Sequence, residues 1–187
     1  MRRVAGVPGV RLWTARQGVA AVEFVLVLPL LLVLLALVVD AGRLLADYHA
    51  VSKSVRDATR YLSRAEGGAG GLGLDCATRS VDPASQEVRN ARRLAMTGRI
   101  DGDPAREPLV AGWTATALSE SATGIRISVE CADNAANGLR GLYDGAARVP
   151  GVVVSASVPF RFTLGRLVRL GPSLTFTVRR KMAHTGT

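Results

Sequence analysis

The run "VAAVEFVLVLPLLLVLLALVV", residues 19–39, constrains this chain more than any other feature. All 21 positions are apolar except Glu23. About 20 such residues in a helix cross the hydrocarbon core of a bilayer, so one membrane span fits. Four arginines, Arg2, Arg3, Arg11 and Arg16, precede the run with no acid among them. Basic flanks stay on the cytoplasmic side, which puts the N-terminus inside and the C-terminal bulk outside. Pro29 lies within the run. It cannot donate to the carbonyl of Val25 and crowds it, so a kink or local loosening is expected there.

The helical pattern continues past the span, which ends at Asp40 with Arg43 just beyond. Leu44, Tyr48, Val51, Val55, Ala58 and Leu62 follow at steps of three and four, an apolar stripe on one helix face. Asp47, Lys53, Arg56, Asp57 and Arg60 occupy the other faces. The first breaker is "EGGAGGLG", so one helix is expected from about residue 19 to 65, on the order of 70 Å long. Its stripe is read as core contact for the domain that follows, since a free coiled coil needs sustained heptads.

Residues 67–73 read as a flexible glycine connector. In "SVDPASQEVRNARRLAMTGRIDG" a second helix is expected, with Asp82 as N-cap, Pro83 at the first helical position and Gly98 at the end. Val88, Ala91, Leu94 and Ala95 make its apolar face. Beyond it the period becomes two. A weak alternation involves Trp113, Ala115 and Ala117. "GIRISVEC" sets Ile125, Ile127, Val129 and Cys131 against Arg126, Ser128 and Glu130. "VVVSASVPFRF" and "SLTFTVRRK" alternate likewise, with Leu174, Phe176 and Val178 inward in the latter. "LGRLVRLGPS" reads as a short amphipathic connector before that last strand. One-sided alternation marks a half-buried antiparallel sheet. Pro159 predicts that its strand is an edge, or that the chain breaks there.

The expected fold is therefore α+β. A long N-terminal helix, membrane-spanning then amphipathic, joins a small domain of one shorter helix and about four antiparallel strands. The expected divisions are a basic leader (1–18), the span (19–39), the amphipathic extension (40–66) and an extracytoplasmic domain (67–187).

The formal charge of +9 does not point to nucleic acid. The four leader arginines account for part of it, about +5 remains without them, and aromatics are only 5% of the chain. The arginines of "RNARRLAMTGR" read as a solvated helix face. Cys76 and Cys131 lack CxxC spacing, and with His49 and His184 they supply too few ligands for a metal site. In an extracytoplasmic domain the two cysteines are expected either to pair as one disulfide or to remain as two thiols. No Gly-x-Ser-x-Gly, His-Glu-x-x-His or Walker sequence is present, and Asp101 and Asp103 in "IDGDP" read as a turn. No enzyme activity, cofactor, metal or small-molecule substrate is expected.

Three readings of "RQGVAAVEF" compete. A secretory signal peptide would have a shorter apolar region and a small-residue cleavage site, and "VVDAGRLLADYH" supplies a poor one. An uncleaved anchor explains the length but not Glu23. A type IV pilin-like signal explains both: a basic leader, a glycine, four small or apolar residues, then Glu-Phe and an apolar helix. On its own charge and position, Glu23 either meets the amine of a neighbouring helix or snorkels to water.

The string "RQGVAAVEFVLVLPLLLVLLALVVDAGRLL" resembles the N-terminus of TadE-like proteins, pilin-like minor components of bacterial tight-adherence pilus systems. The resemblance rests on Gly18, Ala20, Ala21, Val22, Glu23, Phe24, Leu28, Pro29, Gly42 and Arg43. It implies cleavage by prepilin peptidase between Gly18 and Val19, and assembly through Glu23 and Phe24. It also implies other pilin-like subunits and the pilus machinery as partners. The implied location is the bacterial inner membrane, with a small periplasmic α+β domain that often holds a cysteine pair. The alternative is an uncleaved, single-span periplasmic protein with an interaction domain.

Overall fold

A computed structural model describes residues 16–67, 71–114, 124–134, 143–144, 146–162 and 174–186. Helix α1 (Arg16–Arg64) runs 49 residues without interruption, about 73 Å at a rise of ~1.5 Å per residue. It carries Pro29 inside it without ending. Then come α2 (Gln86–Thr97) and strands β1 (Ile125–Asp133), β2 (Arg148–Phe160) and β3 (Leu174–Ala183). The strands form one antiparallel sheet in the order β1-β2-β3. The second half of α1 packs on β2, β3 and α2, and α2 also touches β1, so two helices cover one face of the sheet. This is the expected α+β arrangement, with three strands among the described residues where about four were expected.

The difference lies at the weak alternation around Trp113. Trp113 and Thr114 form no strand, and Ala115 and Ala117 lie outside the described residues. Trp113 instead closes a turn, its N–H donating to the Val110 carbonyl at 3.1 Å. Gly112 before it has φ +86°, a left-handed conformation that breaks strand geometry. The indole still does core work, at 1% exposure.

The core forms where the stripe of α1 meets the inward rows of the sheet. Val51, Val55, Ala58 and Leu62 are fully buried, as are Ile125, Val129, Val152, Val154, Ala156 and Val158. Small polar residues let α2 approach closely: the buried Ser54 hydroxyl donates to the Ala95 carbonyl at 2.7 Å, tying the helices side by side. Farther along, the Tyr61 hydroxyl donates to Glu87 and accepts from Asn90 Nδ2 at 3.2 Å. Burial, then the Glu87 contact, raise the phenol above its ordinary pKa, so it stays a donor.

Pro159 does not mark an edge strand, because β2 is central. The two ladders are staggered along it: β1 pairs with residues 148–156 of β2, and β3 with residues 151–160. Pro159 therefore faces Thr175 of β3 at a point β1 does not reach. Pro150, opposite Cys131 of β1, lies one residue before the β3 ladder begins. Pro159 occupies a stretch paired on one side, where the missing N–H costs no ladder bond, while Pro150 meets the chain just past β3 only as an acceptor, its carbonyl receiving the His184 N–H at 2.9 Å. Between them, Gly151 leaves room for the Lys181 stem to reach Glu130 at 3.3 Å; a Cβ there would meet that stem at 2.9 Å.

Three other expectations shift. The N-cap of α2 is Ser85, whose hydroxyl accepts from the Val88 N–H at 3.1 Å. Asp82 instead builds the preceding turn, accepting from the Ala84 N–H at 2.9 Å, so Pro83 sits in that turn and not in the helix. Gly98 does end α2, at φ +76° with its N–H on the Leu94 carbonyl at 2.8 Å. The glycine connector is anchored in its described part: Leu72 is fully buried and joined by backbone bonds to Glu66 (2.7 Å) and Asp82 (2.9 Å). In β3, Val178 is buried and Phe176 partly so, but Leu174 is 48% exposed, because it lies beyond the part of α1 that covers the sheet.

After β3 the chain closes over the end of α1. Thr185 N–H donates to the Ser63 carbonyl at 2.7 Å, Gly186 N–H to the same oxygen at 3.1 Å, and His184 Nε2 lies 2.8 Å from the Ala65 carbonyl. The last carbonyls of a helix lack intrahelical partners, and here the C-terminal segment supplies them. Leu62→Ala, on the turn this clasp holds, removes a fully buried side chain and is expected to cost about 2–5 kcal/mol. Urea unfolding of the full chain in detergent, followed by circular dichroism, measures it.

Candidate functional site

The first half of α1 shows the opposite environment from the second. Its large side chains at residues 19–39 run from 37% exposed (Leu28) to 72% exposed (Leu26), on every face of the helix. A stretch this long and apolar, with none of its most apolar part buried, is a candidate membrane span. In water each such side chain forgoes about 1.5–3 kcal/mol of burial. A patch of this extent signals lipid or other helices as its surroundings.

Within that surface the structure brings several expected site residues together. Gly18, Val19, Glu23, Phe24 and Pro29 all lie on α1. The Gly18–Val19 bond is inside the helix, two residues from its start at Arg16. A Cβ at Gly18 would meet nothing within 4 Å. Among the described residues no packing requires glycine here, and it weakens the helix by about 1 kcal/mol relative to alanine. Glu23 is exposed among Val22 (61%), Phe24 (64%) and Leu26 (72%). It is the single ionisable residue between positions 19 and 39.

The exit from the apolar run holds a residue that sequence reasoning passed over. Asp40 is only 1% exposed, although its helix neighbours Val38 and Val39 are 70% and 52% exposed. Arg43 Nη1 approaches its carboxylate at 3.5 Å, one turn along. A buried carboxylate needs such pairing. The i,i+3 spacing of Asp40 and Arg43 is the sequence signal of this pair, and it coincides with the end of the apolar run. Gly42 beside them also has open space where a Cβ would stand.

Cys76 and Cys131 lie far from this segment, in the head. They are joined as a disulfide with Cα atoms 5.7 Å apart. The bond pins the turn at residues 75–80 to β1, and Val129 N–H donates to the Arg79 carbonyl beside it at 3.1 Å. In the same turn the Thr78 hydroxyl and the Ala77 N–H, each at 2.7 Å, hold the Asp75 carboxyl below its usual pKa. Asp101 and Asp103 sit in turns, paired with Arg99 (3.0 Å) and Arg106 (3.5 Å). Among the described residues no group of three or more His, Cys, Asp or Glu side chains could hold a metal.

Together these features define a class: one candidate membrane-spanning helix continuous with the core helix of a small α+β head. Over that helix the chain is similar to TadE-like proteins: the model of the TadE-like protein family matches residues 18–60, less than a quarter of the chain. The match begins at the expected cleavage glycine and ends within the stripe that enters the head. No curated protein and no solved structure matches the chain.

The disulfide closes a sequence separation of 55 residues, which on a chain-entropy account is worth about 4 kcal/mol. The double variant Cys76→Ala/Cys131→Ala is expected to lose up to about that much stability. Intact mass after alkylation of the denatured, unreduced protein checks the pairing itself: no added alkyl group is expected.

Proposed function

We propose that this chain is a pilin-like minor component of a bacterial tight-adherence pilus, anchored by residues 19–39 with its head outside the inner membrane. Prepilin peptidase removes residues 1–18, leaving Val19 as the mature N-terminus. The observation that carries this reading is the arrangement on α1 within the TadE-like match. A glycine that no described residue packs against lies five residues before the lone carboxylate of the bare apolar run at 19–39.

The chemistry follows from charge. After cleavage the Val19 amine is positive at neutral pH and the Glu23 carboxylate negative. A charge at the centre of a membrane helix costs about 2.5–3.5 kcal/mol, and less toward the interface where Glu23 lies. A neighbouring subunit's N-terminal amine offsets that cost, and the pairing sets the axial register between adjacent helices. Other pilin-like subunits, the assembly machinery and the peptidase are the partners; the exposed sides of residues 19–39 are where subunit helices pack.

The opposing reading is an uncleaved periplasmic anchor. The helical conformation at Gly18–Val19 favours it, because a peptidase must first unwind that turn. The weak helix propensity of glycine lowers the cost of unwinding.

Glu23→Ala separates register-setting from mere anchoring. The variant is expected to insert and be cleaved as the parent is, yet fail to enter pili, as read by immunoblot of sheared pilus fractions beside membrane fractions. Parental levels in sheared pili would remove the register role.

A further inference from the structure

The lower rim of the head carries apolar side chains that the core does not use. Leu174 is 48% exposed at the start of β3, Tyr48 is 42% exposed and Leu45 is 58% exposed on α1. Phe162, just past β2, is half-buried, its ring edge-on to Phe160 at 5.2 Å. Leu174 pairs with Phe160 across the β2–β3 ladder, so these residues share one end of the sheet.

The direction of β3 along α1 shows which end this is. Phe176 meets Tyr48 with ring centroids 6.0 Å apart, Arg180 reaches Ser52 at 3.2 Å, and Thr185 reaches Ser63 at 2.7 Å. The strand therefore climbs away from the apolar run, and its first residue points back toward that run. Tyr48 lies nine residues beyond Val39, about 14 Å along the helix axis, and Leu45 six residues beyond, about 9 Å. Leu174 precedes Phe176 by two strand residues, about 7 Å, which lowers it to about 7 Å from the end of the run. The headgroup layer on each side of a bilayer is about 5–7 Å thick. Helix tilt brings one side of the rim lower still.

Aromatic and aliphatic side chains at this height, with exposed Arg43 and Arg161 beside them, match the composition of an interfacial belt. We propose that the rim rests on the phospholipid headgroup layer, with Leu174 bedded in its outer edge, Phe162 and Leu45 just above it, and Tyr48 higher as the packing support that holds β3 on α1. The bilayer is the occupant because the rim is continuous with the apolar run through the unbroken α1. This contact holds the head upright on its own helix, and a subunit leaving the membrane for a filament must release it. The inference rests on the reading of residues 19–39 as a membrane span.

Spin labelling of the full chain tests it. All cysteines among the described residues are in the disulfide, so single variants Leu174→Cys, Ala183→Cys and Leu34→Cys each offer one reactive thiol. The protein is reconstituted in vesicles of phosphatidylethanolamine and phosphatidylglycerol doped with a nickel-chelating lipid. The lipid-borne nickel is expected to relax the label at 174 several-fold more than the label at 183, at the far end of the same strand. Equal relaxation at 174 and 183 overturns the proposal. So does a label at 174 shielded from both lipid-borne and soluble nickel, which assigns the rim to a second copy. The label at 34 keeps the two readings apart. It is expected to be open to oxygen and closed to soluble nickel; if it is not, the span itself is refuted.

Discussion

Everything in this molecule hangs on one unbroken helix whose first half is bare and whose second half is buried in the head. Backbone hydrogen bonds inside α1 make its first half independent of neighbouring elements, which a bilayer requires of any spanning segment. The same helix, a few turns on, buries Val51, Val55, Ala58 and Leu62 completely. Because no breaker separates the halves, the position of the head is coupled mechanically to that of the apolar run. A flexible linker at Asp40 would have uncoupled them. A helix with the buried Asp40 carboxylate beside Arg43 does not.

The head is organised to keep that helix from fraying at its far end. Ser63 and Ala65 offer carbonyls that the residues after β3 satisfy. The clasp joins the last strand of the chain to the first helix and so closes the fold on itself. On the opposite side the disulfide fixes the turn at residues 75–80 to β1. The outer sheet face carries Glu130 between Arg179 and Lys181. Exposed pairs of this kind contribute little to stability, so the buried seam between α1, α2 and the sheet holds the head together.

Much of this was legible because the periods are long and regular. Twenty-one apolar positions, a stripe at steps of three and four, and clean alternation around Ile125–Val129 and Val152–Phe160 each admit one backbone geometry. The misreadings were local choices that tertiary context decides. Asp82 and Ser85 are both good cap residues, and the packing of Val88 against the core selects Ser85. Pro159 forbids a ladder bond on one side only, and a staggered central strand satisfies that as well as an edge does. Leu72 looked like part of a glycine linker because a single apolar residue has no period. The burial of Asp40 likewise has no signature in the local pattern. The roles proposed for Gly18 and Glu23 rest on the motif and the family match; the fold adds only that, among the described residues, nothing packs where a Cβ of Gly18 would stand.

The central claim is that α1 is an assembly helix released from a leader at a defined bond. The most direct measurement is N-terminal sequencing of the membrane-extracted protein after co-expression with its prepilin peptidase. The account predicts a chain beginning at Val19, with the full leader retained when the peptidase is inactive. A chain still carrying the leader in the presence of active peptidase would contradict it, as would one cut after Ala41.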